Sequence, residues 1–155
     1  MKYLLGVVAV ILLGIGAFAV MHKVSPVSWG LWGTTNTDAG IALDGYDPVS
    51  YFSEPGPVKG SGEYTYGFAD ATWHFSSAAN RDMFAADPER FAPQYGSFCA
   101  FAVSKGFTAD SDPEAWYVGN DRLYVFADPG VRDQWVNALG EGSLDSANAN
   151  WAKRN

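Results

Sequence analysis

Cysteine is nearly absent from this chain of 155 residues, in which Cys99 is the single one. A lone cysteine cannot form an intramolecular disulfide, so the fold must be held together by the burial of apolar side chains. The supply of such side chains is good, because aromatic residues make up 15% of the sequence and each enclosed ring buries about 150–250 Å². The length corresponds to about one domain.

Positive charge is also scarce. Ten Lys and Arg residues stand against 17 Asp and Glu residues, which gives a formal net charge of −7. An acidic surface repels the phosphates of nucleic acids and of anionic lipid head groups. The sequence has no cluster of basic residues that could bind these phosphates. We therefore expect no nucleic-acid partner.

Charged side chains are missing altogether from residues 4 to 21. One interpretation is a cleavable signal peptide, with Lys2 before an apolar core and Ala17-Phe18-Ala19 as a small-x-small cleavage site. The other is an uncleaved membrane anchor, because about 20 apolar residues can span a bilayer as a helix. Both interpretations predict a periplasmic or otherwise extracytoplasmic domain, either secreted or held at the membrane through residues 4–21.

The domain organisation follows from this segment. Residues 1–23 are predicted to be the signal peptide or membrane anchor. Residues 24–40 are predicted to be a linker, because they contain proline, glycine and threonine without a sustained hydrophobic period. The globular domain is predicted to cover residues 41–155.

Short strands and short helices are predicted within that domain. Alternating apolar residues on either side of residues 69–71 predict one hairpin, and Gly119-Asn120-Asp121 marks the turn of a second. Helices are predicted to begin after Ser77 and after Asp128, and a short strand is expected at residues 49–52. The mixture predicts an α+β fold: a small single domain of short antiparallel hairpins and short helices, preceded by a hydrophobic N-terminal helix.

Two residues are candidates for a metal site. Cys99 lies among phenylalanine and alanine, with no Lys or Arg nearer than Lys105, so a small buried hydrophobe is the alternative to a reactive thiol. His74 is the one histidine of the predicted domain, and a half-exposed strand histidine is its alternative. Cys99 and His74 would supply two ligands for copper or zinc, whereas a closed zinc site takes four.

Motifs of common enzyme classes are missing. The sequence has no Gly-x-Ser-x-Gly elbow, no phosphate-binding glycine-rich loop and no paired-histidine zinc motif. We therefore predict no catalytic residue and no cofactor-binding residue, and we expect a protein that is not an enzyme.

Four ordered blocks of the sequence resemble the exported YHS-domain proteins of bacteria. The similarity continues through the tryptophans at 116 and 151, and so covers residues 41–151. The blocks are IALDGYDPVSYF at 41–52, WHFSS at 73–77, FAADPERFAPQYG at 84–96 and FCA at 98–100.

The resemblance implies a small α+β domain related to the treble-clef-like TRASH modules. Short YHS modules in heavy-metal-transport proteins carry additional cysteines that suggest metal binding, and of these this chain retains Cys99. Ser97 and Ala102 stand at positions where glycine is common in members like this one.

These observations predict an exported YHS-type domain that binds an unidentified protein or small ligand and is linked to metal handling. One alternative is a copper or zinc protein that uses Cys99 and His74. A second alternative is a small thiol-dependent enzyme, which would need a deep pocket beside one of these two residues.

Overall fold

Short strands, most of them paired antiparallel, form the framework of the domain. The computed structural model describes residues 2–53 and 55–154 of the chain. In chain order the strands are β1 (Ser25–Pro26), β2 (Thr37–Asp38), β3 (Ile41–Ala42), β4 (Ser61–Phe68), β5 (Ala71–Phe75), β6 (Phe107–Thr108), β7 (Asp112–Gly119) and β8 (Arg122–Phe126).

The strands are arranged in three small sheets within the described residues. A four-stranded sheet has the order β2-β3-β5-β4, and β1-β6 and β7-β8 are two-stranded. Strand β3 runs parallel to β5, with Ile41 opposite Thr72, so the larger sheet is mixed and not purely antiparallel. The α+β class and the small sheets agree with the sequence prediction.

Both predicted hairpins are present. Strands β4 and β5 are joined by Ala69 and Asp70, whose φ angles are 52° and 59°. Strands β7 and β8 are joined in the same way by Asn120 and Asp121, with φ angles of 53° and 59°. Two left-handed residues in succession give the turn whose twist matches that of paired strands, and Asn and Asp tolerate this conformation well.

The first helix precedes the strands, and the other helices lie between and after the two hairpins. They are α1 (Lys2–Met21), α2 (Ala78–Ala86), α3 (Pro88–Phe91), α4 (Ala100–Ser104), α5 (Pro129–Asn137) and α6 (Ser143–Trp151). The side chains of Ser77, Asp87 and Asp128 each accept a hydrogen bond from a backbone amide three residues ahead, at the starts of α2, α3 and α5. These caps explain why the helices begin where the sequence predicts.

Strand β8 separates two apolar clusters. Tyr124 and Phe126 on one face belong to the helical cluster, which also contains buried side chains of α4, α5 and α6. Leu123 and Val125 on the other face belong to the sheet cluster, which contains the buried side chains of β5, α2 and α3. Because successive side chains of a strand point in opposite directions, one strand contributes to both clusters.

Residues 24–40, interpreted from the sequence as a linker, lie against this domain. Ser25 is paired with Thr108 across β1 and β6, and Val27 is buried in the helical cluster. The Nδ2 atom of the buried Asn36 donates to the carbonyl of Ser97 at 3.2 Å and to Asp110 Oδ1 at 2.8 Å. The segment is held by a few individual side chains and not by one continuous apolar face. Its sequence therefore shows no hydrophobic period although it packs against the domain.

Helix α1 extends away from both clusters, and its large apolar side chains from Val7 to Phe18 are exposed. Among the described residues no helix is long and apolar enough to cross a membrane. The transmembrane helix predicted from the sequence is therefore wrong for the part of the chain that the structure describes.

Asp47 is a fully buried carboxylate that connects three parts of the sheet cluster. Its Oδ2 atom accepts from Ser76 N at 2.9 Å, Ser76 Oγ at 2.6 Å and Asn80 Nδ2 at 2.6 Å. Its Oδ1 atom accepts from Val49 N at 2.9 Å. A carboxylate accepts hydrogen bonds and donates none when ionised, so these four donors match it.

The backbone around Asp47 is also bent by local hydrogen bonds. The amide and the hydroxyl of Ser50 both donate to the carbonyl of Asp47, at 3.2 Å and 2.7 Å. Residues Ser50–Phe52 consequently form a 3₁₀ turn. The sequence predicted a strand at residues 49–52, but hydrogen bonds of this kind compete with strand pairing.

Replacement of Asp47 by alanine should lower the free energy of unfolding by about 3 kcal/mol, because it leaves several buried donors without an acceptor. Urea denaturation of the purified protein measures this change. Asp82→Ala is the matched control, since Asp82 is exposed and paired with its neighbour Arg81, and it should change stability by less than about 0.5 kcal/mol. A loss below about 1 kcal/mol for Asp47→Ala would contradict the structural role of this network.

Candidate functional site

A groove of about 660 Å³ opens where the two clusters meet. Ligand pockets in proteins commonly occupy about 300–1,000 Å³. The sheet cluster contributes Phe68 and Trp73 to its walls, and the helical cluster contributes Tyr95 and Trp151. The polar and charged residues of the lining are Thr34, Thr35, Glu89, Gln94, Arg122 and Arg154.

The wall on the sheet side is held by the β4-β5 turn. Trp73 is 1% exposed, and its Nε1 atom donates to the carbonyl of Phe68 at 2.9 Å. Thr34 Oγ1 and Thr35 Oγ1 both donate to the carbonyl of Ala69, at 3.0 Å and 2.7 Å. The segment before the first hairpin is thereby fastened to the same wall.

The wall on the helical side is aromatic. The rings of Tyr95 and Trp151 are 5.9 Å apart at 62°, an edge-to-face arrangement. The Tyr95 hydroxyl donates to Asn148 Oδ1 at 2.9 Å, which joins the wall to α6. Burial raises the pKa of Tyr95 well above its ordinary value, so this hydroxyl stays a donor at neutral pH.

Three successive left-handed residues form the bend beside the groove. Tyr95, Gly96 and Ser97 have φ angles of 58°, 59° and 62°. A side chain at Gly96 would collide with the carbonyl oxygen of Thr34, so glycine is required there for a close backbone approach. Tyr95 and Ser97 adopt the same region at a cost of roughly 1–2 kcal/mol each.

Two guanidinium groups give the groove positive charge in an otherwise acidic protein. Arg122 Nη1 donates to the carbonyl of Glu89 at 2.8 Å. The guanidinium of Arg154 lies 4.5 Å from the ring centre of Trp151 and 5.2 Å from that of Phe98. Burial lowers the pKa of Arg154, although an arginine remains charged at neutral pH.

Cys99 lies inside the helical cluster and is 2% exposed. Burial raises the pKa of its thiol, despite hydrogen bonds from the backbone amides of Ala102, Ala127 and Phe101 that act in the opposite direction. A thiol of this kind carries little thiolate at neutral pH. Its surroundings are those of a small apolar side chain.

His74 lies elsewhere, on β5. It lines a smaller cleft of about 420 Å³ together with Asp38, Asp44 and Lys59. The structure does not bring His74 and Cys99 together, since one faces this cleft and the other is enclosed in the helical cluster. Among the described residues, no group of three or more His, Cys, Asp or Glu side chains could hold a metal ion.

The residues of the groove were not predicted as a site. Thr34 and Thr35 lie in the segment interpreted as a linker, and the chemistry considered for the sequence was that of Cys99 and His74. The spacing of Trp151 and Arg154 was the available signal, because a turn after the last helix brings residues three apart together and a guanidinium stacks well on an indole. In the structure the amide of Arg154 donates to the carbonyl of Trp151 at 3.0 Å, one turn beyond the end of α6.

No protein-family model matches the chain, and no curated protein or solved structure matches it either. The resemblance to exported YHS-domain proteins rests on the sequence blocks and stays a prediction. A function has to be inferred from the residues and geometry of the chain itself.

The stability of the protein should fall at alkaline pH. Burial raises the pKa values of Cys99, Tyr51 and Tyr95 above those of the unfolded chain. The folded protein therefore gains its full stabilisation from these neutral groups at any pH below their pKa values in the unfolded chain. This stabilisation is lost as the pH rises from the pKa values of the unfolded chain to those of the folded protein. The loss should begin near pH ~8.5 for the thiol and near ~10 for the tyrosines.

Urea midpoints measured between pH 7 and 11 test this expectation. In Cys99→Ala the pH at which stability begins to fall should rise from about 8.5, where the thiol ionises in the unfolded chain, to about 10, where the tyrosines do. The folded wild-type protein should also react slowly with a thiol reagent at pH 7 and rapidly once it is unfolded. Fast labelling of the folded state, or an unchanged onset in Cys99→Ala, would contradict the burial argument.

Proposed function

We propose that this protein is a non-enzymatic, exported binding domain of the YHS type and that the groove between its two clusters is the ligand site. The observation that carries the proposal is the combination of aromatic walls with two guanidinium groups in one groove of about 660 Å³. An apolar pocket with a few convergent polar groups is the usual form of a small-molecule site.

The position of the candidate reactive residues supports binding over catalysis. Neither Cys99 nor His74 lines the groove. The thiol is enclosed by apolar side chains, and the imidazole lies in a separate cleft. A nucleophile or general base must reach the substrate within hydrogen-bond distance, and the groove offers neither of these two groups.

The exposure of α1 supports export with removal of the N-terminal segment. Its large apolar side chains from Val7 to Phe18 belong to neither cluster. Cleavage after Ala19 would leave the first firm contacts of the domain intact, among them the Lys23 Nζ hydrogen bonds to Asn36 Oδ1 at 2.7 Å and to Asp110 Oδ1 at 3.2 Å. A segment that the fold does not use can be removed without cost to the domain.

Expression of the full chain in a bacterial host tests the export proposal. The mass of the protein recovered from the periplasm should correspond to a chain that begins at Val20, as a cleavage site at Ala17-Phe18-Ala19 requires. Ala19→Lys should block this processing, and Ala39→Lys, which changes an exposed residue of the domain, should not. Recovery of the uncut chain from the cytoplasm alone would overturn the proposal.

A screen by nuclear magnetic resonance tests the groove. A panel of small neutral and charged aromatic and aliphatic compounds is titrated into the purified, labelled protein. At least one compound should shift the indole N–H signals of Trp73 and Trp151 together, because these rings belong to opposite walls. Ala92→Trp, which adds bulk inside the groove, should abolish the shifts.

Ala86→Trp is the matched control, since Ala86 is exposed at the end of α2 and does not line the groove. It should leave the response unchanged. Melting temperatures of both variants establish that they are folded. If no compound shifts these signals, or if Ala92→Trp binds as the wild type does, the groove is not the ligand site.

A further inference from the structure

Arg154 has unused hydrogen-bonding capacity at the edge of the groove. Its Nη1 and Nη2 atoms are buried and have no hydrogen-bond partner among the described residues. The guanidinium is packed against the rings of Trp151 and Phe98. The ion pairs found in the described part of the chain involve Lys23, Arg81, Arg90 and Arg132 instead.

A guanidinium in this position is costly to the free protein. Burial of a charged donor without an acceptor is unfavourable, and contact with aromatic faces restores only a part of the lost hydration. A carboxylate is the group whose geometry matches a guanidinium, because it accepts two parallel N–H hydrogen bonds. A ligand with one carboxylate would therefore bind favourably, because it would supply the acceptor that the guanidinium of Arg154 lacks.

The charge of the remaining protein limits how many negative groups the ligand can carry. Arg122 adds a second cation to the lining, but Glu89 adds an anion, and the chain as a whole has a net charge of −7. A polyanion would place additional negative charges near Glu89 and in the field of an acidic protein, and both oppose its binding. The balance favours a ligand with a single negative charge.

The rest of the groove lining favours a ligand whose main part is apolar. Phe68, Trp73, Tyr95 and Trp151 present hydrocarbon and ring surfaces, and the buried polar groups of two of them already have partners within the protein. Trp73 and Tyr95 are already nearly buried, so contact with an apolar ligand body would remove mainly the exposed parts of Phe68 and Trp151 from water. Affinity would come from the body, and selectivity from the guanidinium.

We propose that the groove binds small organic monoanions in which one carboxylate is joined to an apolar body, with the carboxylate held by Arg154. This inference rests on the proposed binding function of the groove and specifies its ligand class. The long Arg154 side chain can turn its terminal nitrogens from the rings towards a carboxylate that enters the groove, with Trp151 and Phe98 still packed against its stem.

Calorimetric titration with 4-phenylbutyrate tests the proposal, with the neutral 4-phenylbutyramide and the trianion citrate as comparison ligands. The carboxylate should bind at least about tenfold more tightly than the amide, because it forms charge-assisted hydrogen bonds with the guanidinium that a neutral amide cannot form. Citrate should not bind, because it lacks the apolar body. Higher salt concentration should weaken binding of 4-phenylbutyrate and leave the amide unaffected.

Arg154→Gln should reduce the preference for the carboxylate over the amide to less than about threefold, and Arg154→Lys should give an intermediate preference because an ammonium cannot form the two-pronged contact. Arg132→Gln is the matched control, since Arg132 pairs with Asp133 on α5 and lies outside the groove lining. It should leave the preference unchanged. Melting temperatures confirm folding of each variant, and a ratio of two affinities is insensitive to a general loss of stability.

The outcomes separate this inference from the proposed function. Equal binding of the amide and the carboxylate, or a preference that persists in Arg154→Gln, would overturn the inference while the groove remains a ligand site. The same holds if neutral compounds of the screening panel bind in the groove and the carboxylate does not. If none of these compounds perturbs the groove, both the inference and the proposed function fail.

Discussion

The burial of strand β8 on both faces is the constraint on which the rest of this structure depends. Its side chains alternate between the helical and the sheet cluster, so Leu123 and Tyr124 stabilise different halves of the domain. A strand of five residues therefore joins the two clusters without a disulfide. Arg122 stands at its exposed first position, where the clusters diverge and the groove opens.

A second constraint acts within the sheet cluster. The carboxylate of Asp47 accepts hydrogen bonds from Val49 in its own loop and from Ser76 and Asn80, which lie 29 and 33 residues further along the chain. Such a network specifies one arrangement of these segments, because any other arrangement would leave buried polar groups without partners. The aromatic rings around Phe84 can pack in several ways, but the polar network can be satisfied in few.

Some unfavourable local features of the chain lie beside the groove, although others lie elsewhere in the domain. Tyr95 and Ser97 adopt left-handed backbone conformations. The hydroxyl of Ser97 and the terminal nitrogens of Arg154 are buried without partners among the described residues. Departures from local rules are commonly found at functional sites, where the surrounding structure maintains them.

The sequence by itself determined the α+β class, both hairpins and the helix starts, because left-handed turn residues such as Asp70 and capping residues such as Ser77 act over a few neighbouring positions. It could not determine the 3₁₀ turn after Asp47, the contacts of residues 24–40 or the groove. The contacts of residues 24–40 and the groove depend on partners distant in the chain, as when Arg154 reaches Phe98. The 3₁₀ turn depends on the competition between the local hydrogen bonds of Ser50 and strand pairing. Only the tertiary structure decided that Cys99 is enclosed while Arg154 borders a cavity, since burial is a property of the packed chain and not of its local pattern.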